Sequence, residues 1–264
     1  MRRTAMQAAW GAAMVLWGCG QDAPLVSVEG PGPRVVARLA TVAQGWEVAR
    51  VTLFVEGPGI EPPIVQTQEA AGERTFTFDV TVPVDATPVF RVQAEDSRGE
   101  ILFAGTREAP AQEAAAAGID ILLTPTRFAL LVTPSDTTVA AGSTLTVAVD
   151  VYHVEALFGA SFEVEFDGDL LEAADAATGD FLGADVLELV RQEQGRVATS
   201  LVRKRGSGAQ SGSGRLGQVV FRARGPGISA LRIVPETLAL QGEDGSEVGG
   251  RQALRTGGGS IRIE

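Results

Sequence analysis

Along most of the chain apolar and polar residues alternate with a period of two rather than recurring every three or four positions. Val51-Thr52-Leu53-Phe54-Val55 and Thr75-Phe76-Thr77-Phe78-Asp79-Val80 each present one apolar face, the pattern of a half-buried strand. Arg34 to Ala40, Val89 to Ala94, Ile101 to Gly105 and Ile119 to Leu123 are further strand candidates, separated by the turn formers Gly57-Pro58-Gly59, Pro62-Pro63 and Ser97-Arg98-Gly99. Short strands at this spacing predict an antiparallel sandwich. Ala109 to Gly118, mostly Ala and Glu, reads either as one helical turn or as a polar connection.

Thr124-Pro125-Thr126-Arg127 marks a boundary, because one strand ends there and a pattern with different turn spacing begins. Leu131-Val132 is followed by the turn region Val139-Ala140-Ala141-Gly142-Ser143, the long alternating run Leu145 to Val151, and then Val154 to Phe158. In Ser161-Phe162-Glu163-Val164-Glu165-Phe166-Asp167, parity sends Phe162, Val164 and Phe166 into the core and Ser161, Glu163 and Glu165 to the opposite face. Gly206 to Gly217 and Gly242 to Gly259 read as Gly- and Ser-enriched loops, and no internal repeat relates the two halves. The expected fold class is all-β, with two β-sandwich domains over residues 20–125 and 128–264. The layout of the first resembles immunoglobulin-like or transthyretin-like modules.

Residues 1–19 follow a different rule. Arg2 and Arg3 precede a short apolar stretch from Ala8 to Leu16 that ends at Trp17-Gly18-Cys19. A permanent transmembrane helix needs roughly 20 apolar residues, so the segment reads as an export signal. Its end resembles the lipobox of bacterial lipoproteins. That resemblance implies lipidation of Cys19 and a membrane anchor, and Gly20 in place of Asp implies transfer to the outer membrane.

Composition narrows the chemistry. Across 264 residues the formal net charge is -11, and acidic side chains outnumber basic ones in both halves, which disfavours a polyanionic partner such as nucleic acid. One Cys and one His leave disulfide frameworks, Cys/His zinc sites and Cys/His nucleophile pairs without material. His153 has no second His or free thiol to work with. Asp167, Asp169, Glu172 and Asp175 are close together. They fall on a water-accessible turn where pKa perturbation is weak. Their oxygens would suit calcium, although the EF-hand spacing is absent. No resident cofactor is expected.

The order of features after residue 128 is similar to that of the cohesin domain, the receptor module for dockerin domains. The quoted strand, "AG" turn and valine-ending strand are followed by Gly159, the Phe-x-Val-x-Phe-Asp strand and Leu171-Glu172. Gly179 to Leu182, Gly195-Arg196-Val197, the Gly-rich turn at Gly206 to Gly214, Leu216 to Ala223, Gly225 to Leu231 and Gly258 to Ile263 continue the series. Gly168 stands where the family usually has Pro. The resemblance implies a cohesin-like jelly roll that docks a dockerin-bearing protein, with calcium carried by the dockerin. It places Ser161, Glu163, Ala198, Ser200, Val202 and Arg203 at the partner-binding face. Arg203-Lys204-Arg205 would then favour an acidic rim on the partner. A tether for an exported, polysaccharide-degrading partner is the function this implies.

Two other readings remain open at this level. One is a carbohydrate-binding sandwich, which calls for exposed aromatic rings. Aromatics are only 6% of the chain; beyond the export segment Trp46 and Tyr152 are the only Trp and Tyr, and the visible Phe residues alternate into cores. The other is a structural envelope lipoprotein with no dockerin partner.

Overall fold

A computed structural model describes residues 34–39, 46–249 and 254–264. Cys19 and the rest of the export segment lie outside the described residues. The first module holds β1 (Arg34–Leu39), β2 (Arg50–Gly57), β3 (Ile60–Glu69), β4 (Thr75–Asp79), β5 (Val89–Glu95), β6 (Ile101–Glu108), α1 (Ala111–Ala117) and β7 (Ile119–Pro125). Its strands follow one path, β3-β2-β5-β6-β7-β1-β4, which folds over into a sandwich. The corner falls between β6 and β7, which share only the pairs Phe103↔Pro125 and Ala104↔Thr124. Gly105 permits this crossing, since a Cβ there would lie 2.6 Å from the carbonyl oxygen of Leu122. At the open side the side-chain amides of Gln66 and Gln68 on β3 donate to the carbonyls of Asp79 and Thr77 on β4. Between the layers Val51, Leu53, Val55, Phe90 and Val92 meet Phe76, Phe78, Ile119, Ile121 and Leu123 in one buried cluster.

Two expectations change here. The segment containing Pro62-Pro63 is part of a ten-residue strand, not a turn. β3 pairs only with β2, so it is an edge strand, where a residue without an N–H is tolerated. The register breaks between Val55 and Gly57, opposite the prolines. Of the two readings of residues 109–118, the helix is the one observed, with Ala111 and Ala114 buried and Gly118 ending it at φ 73°.

The second module holds β8 (Ala129–Thr133), β9 (Asp136–Val139), β10 (Thr144–Leu157), β11 (Gly159–Glu165), β12 (Leu171–Thr178), β13 (Val186–Glu193) and β14 (Arg196–Arg203). It closes with β15 (Gln210–Ala223), β16 (Gly227–Ile233), β17 (Ala239–Gln241), β18 (Arg255–Gly257) and β19 (Gly259–Ile263). One sheet runs β12-β15-β10-β8-β18; the other runs β13-β14-β11-β16-β19-β9, with β17 beside β11.

β10 shows how local irregularity preserves the core. Val147, Val149 and Val151 alternate inward, and the next core residues, Val154 and Leu157, come after three-residue steps. His153 (φ 51°) and Ala156 (φ 52°) absorb the extra residues as bulges. The freed N–H groups of His153 and Ala156 donate to the hydroxyl oxygens of Ser213 (3.0 Å) and Ser211 (2.9 Å). Residues 210–217, read from sequence as loop, are therefore strand. Their serines serve the bulges, and their glycines give clearance: a Cβ on Gly214 would sit 2.8 Å from the Phe181 ring. Val154 to Phe158 is likewise largely the continuation of β10 rather than a separate element.

The two modules share β8. Leu130 and Val132 enter the second core, whereas Ala129 and Leu131, on the opposite face, enter the first. A strand buried on both faces explains the unbroken apolar run Ala129-Leu130-Leu131-Val132. Tyr152, register partner of Ala129, packs against the first core as well; burial and the nearby Asp150 push its phenol above the ordinary value. Around this contact the Thr126 hydroxyl donates to the carbonyl of Ile101 (2.7 Å), and Nε2 of His153 donates to the carbonyl of Pro125 (2.9 Å). Arg127 pairs with Glu100 and Arg74 with Asp136.

Leu131→Ala should therefore cost about 2–5 kcal/mol and lower the unfolding midpoint of both modules in a urea titration of the full chain. Loss confined to one transition would show that the cores are independent. Gly168→Ala tests local packing, because its Cβ would lie 2.8 Å from the backbone nitrogen of Gly195. A loss of about 1–3 kcal/mol is expected. The same lack of room explains why Gly occupies this turn.

Candidate functional site

The candidate site is the outer face of β13-β14-β11. Phe162, Val164, Val197 and Leu201 point into the core, so their strand neighbours point outward. On β11 these are Ser161, Glu163 and Glu165, as the alternation requires; on β14 they are Arg196, Ala198, Ser200 and Val202. Register aligns them in rows: Ser161 opposite Ser200, Glu163 opposite Ala198, and Glu165 opposite Arg196. The hydroxyl of Ser161 donates to that of Ser200 at 3.0 Å. Gly159 lies opposite Val202, and Ala239 of β17 lies beside Ser161. The centre is thus a low floor of Gly, Ser and Ala.

One wall of that floor is apolar. Leu187 is 59% exposed, Leu189 70% and Val202 41%, and register puts Leu187 opposite Val202 and Leu189 opposite Ser200. These leucines escaped the sequence reading. The signal was present in Val186-Leu187-Glu188-Leu189-Val190, which has apolar residues in both parities. Val186 and Val190 pack against the core, which leaves Leu187 and Leu189 with no intramolecular reason to be apolar.

At the other end the charges are arranged in pairs. Arg196 lies 3.2 Å from Glu163 and 2.8 Å from Glu165, and Arg191 lies 2.6 Å from Glu193. Of the basic triplet only Arg205 is exposed without an ion pair of its own among the described contacts. Lys204 faces Asp185 at 3.4 Å. Arg203 falls on the inward parity of β14 and is buried, so its assignment to the partner face is corrected. Its Nη2 donates to the carbonyl of Ser207, while Nε and Nη1 have no protein acceptor.

Elsewhere the polar candidates have structural duties. Asp167 accepts the backbone N–H of Asp169, Asp175 accepts that of Ala176, and Glu172 faces Arg224 at 3.4 Å. Among the described residues no group of three or more His, Cys, Asp or Glu is placed to hold a metal ion. His153 is a bulge residue bonded to Pro125, as described above. Two Phe residues depart from the expectation that they turn inward: Phe158 is half-buried outside both core clusters, and Phe54 faces out on β2, where the Arg91 guanidinium covers its ring at 4.9 Å. That contact leaves less ring face for stacking.

Fold and site together define a β-sandwich module with an open, partly apolar sheet face. Residues 131–246 match the family model of the Cohesin domain. Similar solved structures include a non-cellulosomal cohesin from the archaeon Archaeoglobus fulgidus, at 19% identity over 53% of this chain and 92% of that one, with a TM-score of 0.44. A cohesin–dockerin complex from Clostridium thermocellum is similar at 17% identity over 53% of this chain and 100% of that one (TM-score 0.44). The third cohesin of ScaC from Acetivibrio cellulolyticus, in complex with the ScaB dockerin, is similar at 14% identity over 52% and 98% (TM-score 0.45). No curated protein matches the chain.

The buried guanidinium gives a direct test. Replacing an incompletely paired buried charge by an apolar side chain of similar length is neutral or favourable. Arg203→Met should leave stability unchanged or raise it by about 1–3 kcal/mol, measured by urea unfolding. A comparable loss would mean that ordered water or an anion completes the guanidinium's bonds.

Proposed function

We propose that the protein is a non-catalytic, lipid-anchored scaffold of the outer membrane that docks a dockerin-bearing protein on the outer face of β13-β14-β11. The observation that carries this reading is the exposed pair Leu187 and Leu189 beside Val202, bordering a floor of small residues within the segment that matches the Cohesin model. A helix lying across that floor would bury the apolar side chains, and removing such area from water supplies the main favourable term. Calcium would enter with the dockerin. Anchoring would come from lipid on Cys19, and in this reading the partner is an exported protein acting on polysaccharide.

The first module supports the role of spacer. It covers the outer face of β8 and the neighbouring Tyr152, on the sheet opposite the docking face. A partner seated on β13-β14-β11 would therefore bind away from it.

The test is calcium-dependent capture from the source organism's exported proteins with the full chain as bait and the Ser200→Asp/Val202→Asp variant as control. Both positions are outward, so the variant should fold. It should lose at least tenfold in capture, because docking would bury carboxylates without partners. Equal capture of a dockerin protein by both baits would move docking to another surface.

A further inference from the structure

We propose that a second copy of this chain pairs antiparallel along the β13 edge, joining two sheets into one across a two-fold axis at Leu189. The pairing depends on the strand edge, not on docking at the outer face. An open edge presents a row of N–H and C=O groups to other strands, and folded proteins blunt it with short strands, Pro, breaks in register or covering groups. The sheets of the described residues end at β3, β4, β12, β18, β13 and β9. β3 carries Pro62 and Pro63 and a break in register, and its glutamines close it on β4. β12 is broken between Ala173 and Asp175. β9 has four residues and β18 three. β13 has none of these devices: it runs for eight residues without Pro or Lys, its register with β14 is unbroken, and four of its first five residues are Val or Leu.

Only an extended strand completes such a ladder, and β13 is complementary to itself. A two-fold axis normal to the sheet reverses the strand and keeps its faces, so paired residues share parity. Centred on Leu189, the ladder sets Leu189 against Leu189 of the second copy, Leu187 against Arg191, Glu188 against Val190 and Val186 against Gln192. The alkyl stem of Arg191 covers Leu187, and no like charges within β13 stand directly opposite, a placement that destabilises a sheet. Centring on Glu188 or Arg191 would oppose like charges, and centring on Val190 would set Leu187 against Glu193. Glu188 lies diagonal to Glu188 of the second copy, both exposed to water, where their repulsion is screened. At the strand ends Asp185 would face Glu193, and cations attend both. Lys204 lies 3.4 Å from Asp185, with the exposed Arg205 next in sequence, and Arg191 lies 2.6 Å from Glu193. Glu163, whose Oε2 has no hydrogen-bond partner, lies on β11, two strands in from the edge.

Because the faces are kept, the small-residue floors of both copies would open on the same side of the joined sheet. The experiment is sedimentation equilibrium of the full chain in a mild detergent over a concentration series. Leu189→Lys and Leu189→Glu are compared with Leu122→Lys, a control at an exposed apolar position of the first module. Leu189 is 70% exposed, so its variants should fold, which their urea midpoints check. The expected result is a reversible dimer for the wild-type chain and the Leu122 variant. Either Leu189 variant alone should weaken association by about tenfold or more, because like charges then meet on the axis. An equimolar mixture of the two Leu189 variants should recover wild-type association to within about threefold, because Lys then faces Glu.

A monomeric wild-type chain would overturn the proposal, as would a dimer that survives Leu189→Lys. Weakening in both single variants without recovery in the mixture would remove the axis from Leu189, and the proposed pairing with it. Equal weakening by Leu122→Lys would assign the association to non-specific apolar contact and overturn it as well. The dockerin reading stands or falls separately, on capture with the Ser200 and Val202 variant.

Discussion

The structure depends on one strand being buried on both faces. β8 sends Leu130 and Val132 into one core and Ala129 and Leu131 into another, so neither sandwich closes its apolar surface without the other. Alternation in a strand makes this a rigid condition: a slip of one residue would exchange the two sets of side chains. Only three residues, Thr126 to Phe128, separate β7 from β8. The hydrogen bonds of Thr126 and His153 hold that corner against the first module. The chain is thus better described as two sandwiches sharing a wall than as two beads on a linker.

That shared wall decides what the rest of the surface can do. The β8-bearing sheet is occupied where the first module sits on it, and the opposite sheet is open. β10 matters to this arrangement because it pairs with β8 on one side and β15 on the other. Its two bulges keep Val154 and Leu157 in the core while the strand bends. The serines of β15 accept the N–H groups that bulging would otherwise leave without a protein partner. Small residues do two unrelated things in this module: in β15 they accommodate a deformed neighbour, and on β11 and β14 they lower a surface.

The open face also shows why exposure and not composition identifies a site. Glu163, Glu165 and Arg196 are the conspicuous residues by charge, yet they pair with one another, although Oε2 of Glu163 has no hydrogen-bond partner. Leu187 and Leu189 are ordinary by composition, yet they are the large apolar side chains left in water beside the floor of small residues. A surface of this kind resembles the centre of a protein interface, where charged residues are depleted and apolar anchors are concentrated.

Alternation alone was enough to read the all-β class, most strands of the first module and the inward set Phe162, Val164 and Phe166, because a period of two is a local property of the backbone. It also sent Ser161 and Glu163 to the opposite face, whereas Ala198, Ser200 and Val202 were assigned to that face by the resemblance to cohesins. What it did not disclose depended on neighbours distant in sequence. Pro62-Pro63 looked like a turn because their edge position is set by which strand pairs with β2. Ser211 to Gly214 looked like a loop because the N–H groups they serve belong to bulges some sixty residues away. Arg203 looked like a rim charge because its burial depends on where β14 ends against residues 204–207. Val186-Leu187-Glu188-Leu189-Val190 has apolar residues in both parities, and which pair is left in water was decided only by β13 being an edge strand packed on one face and bare on the other. Local pattern determined which way each side chain points, and only the tertiary structure decided what, if anything, lies there to meet it.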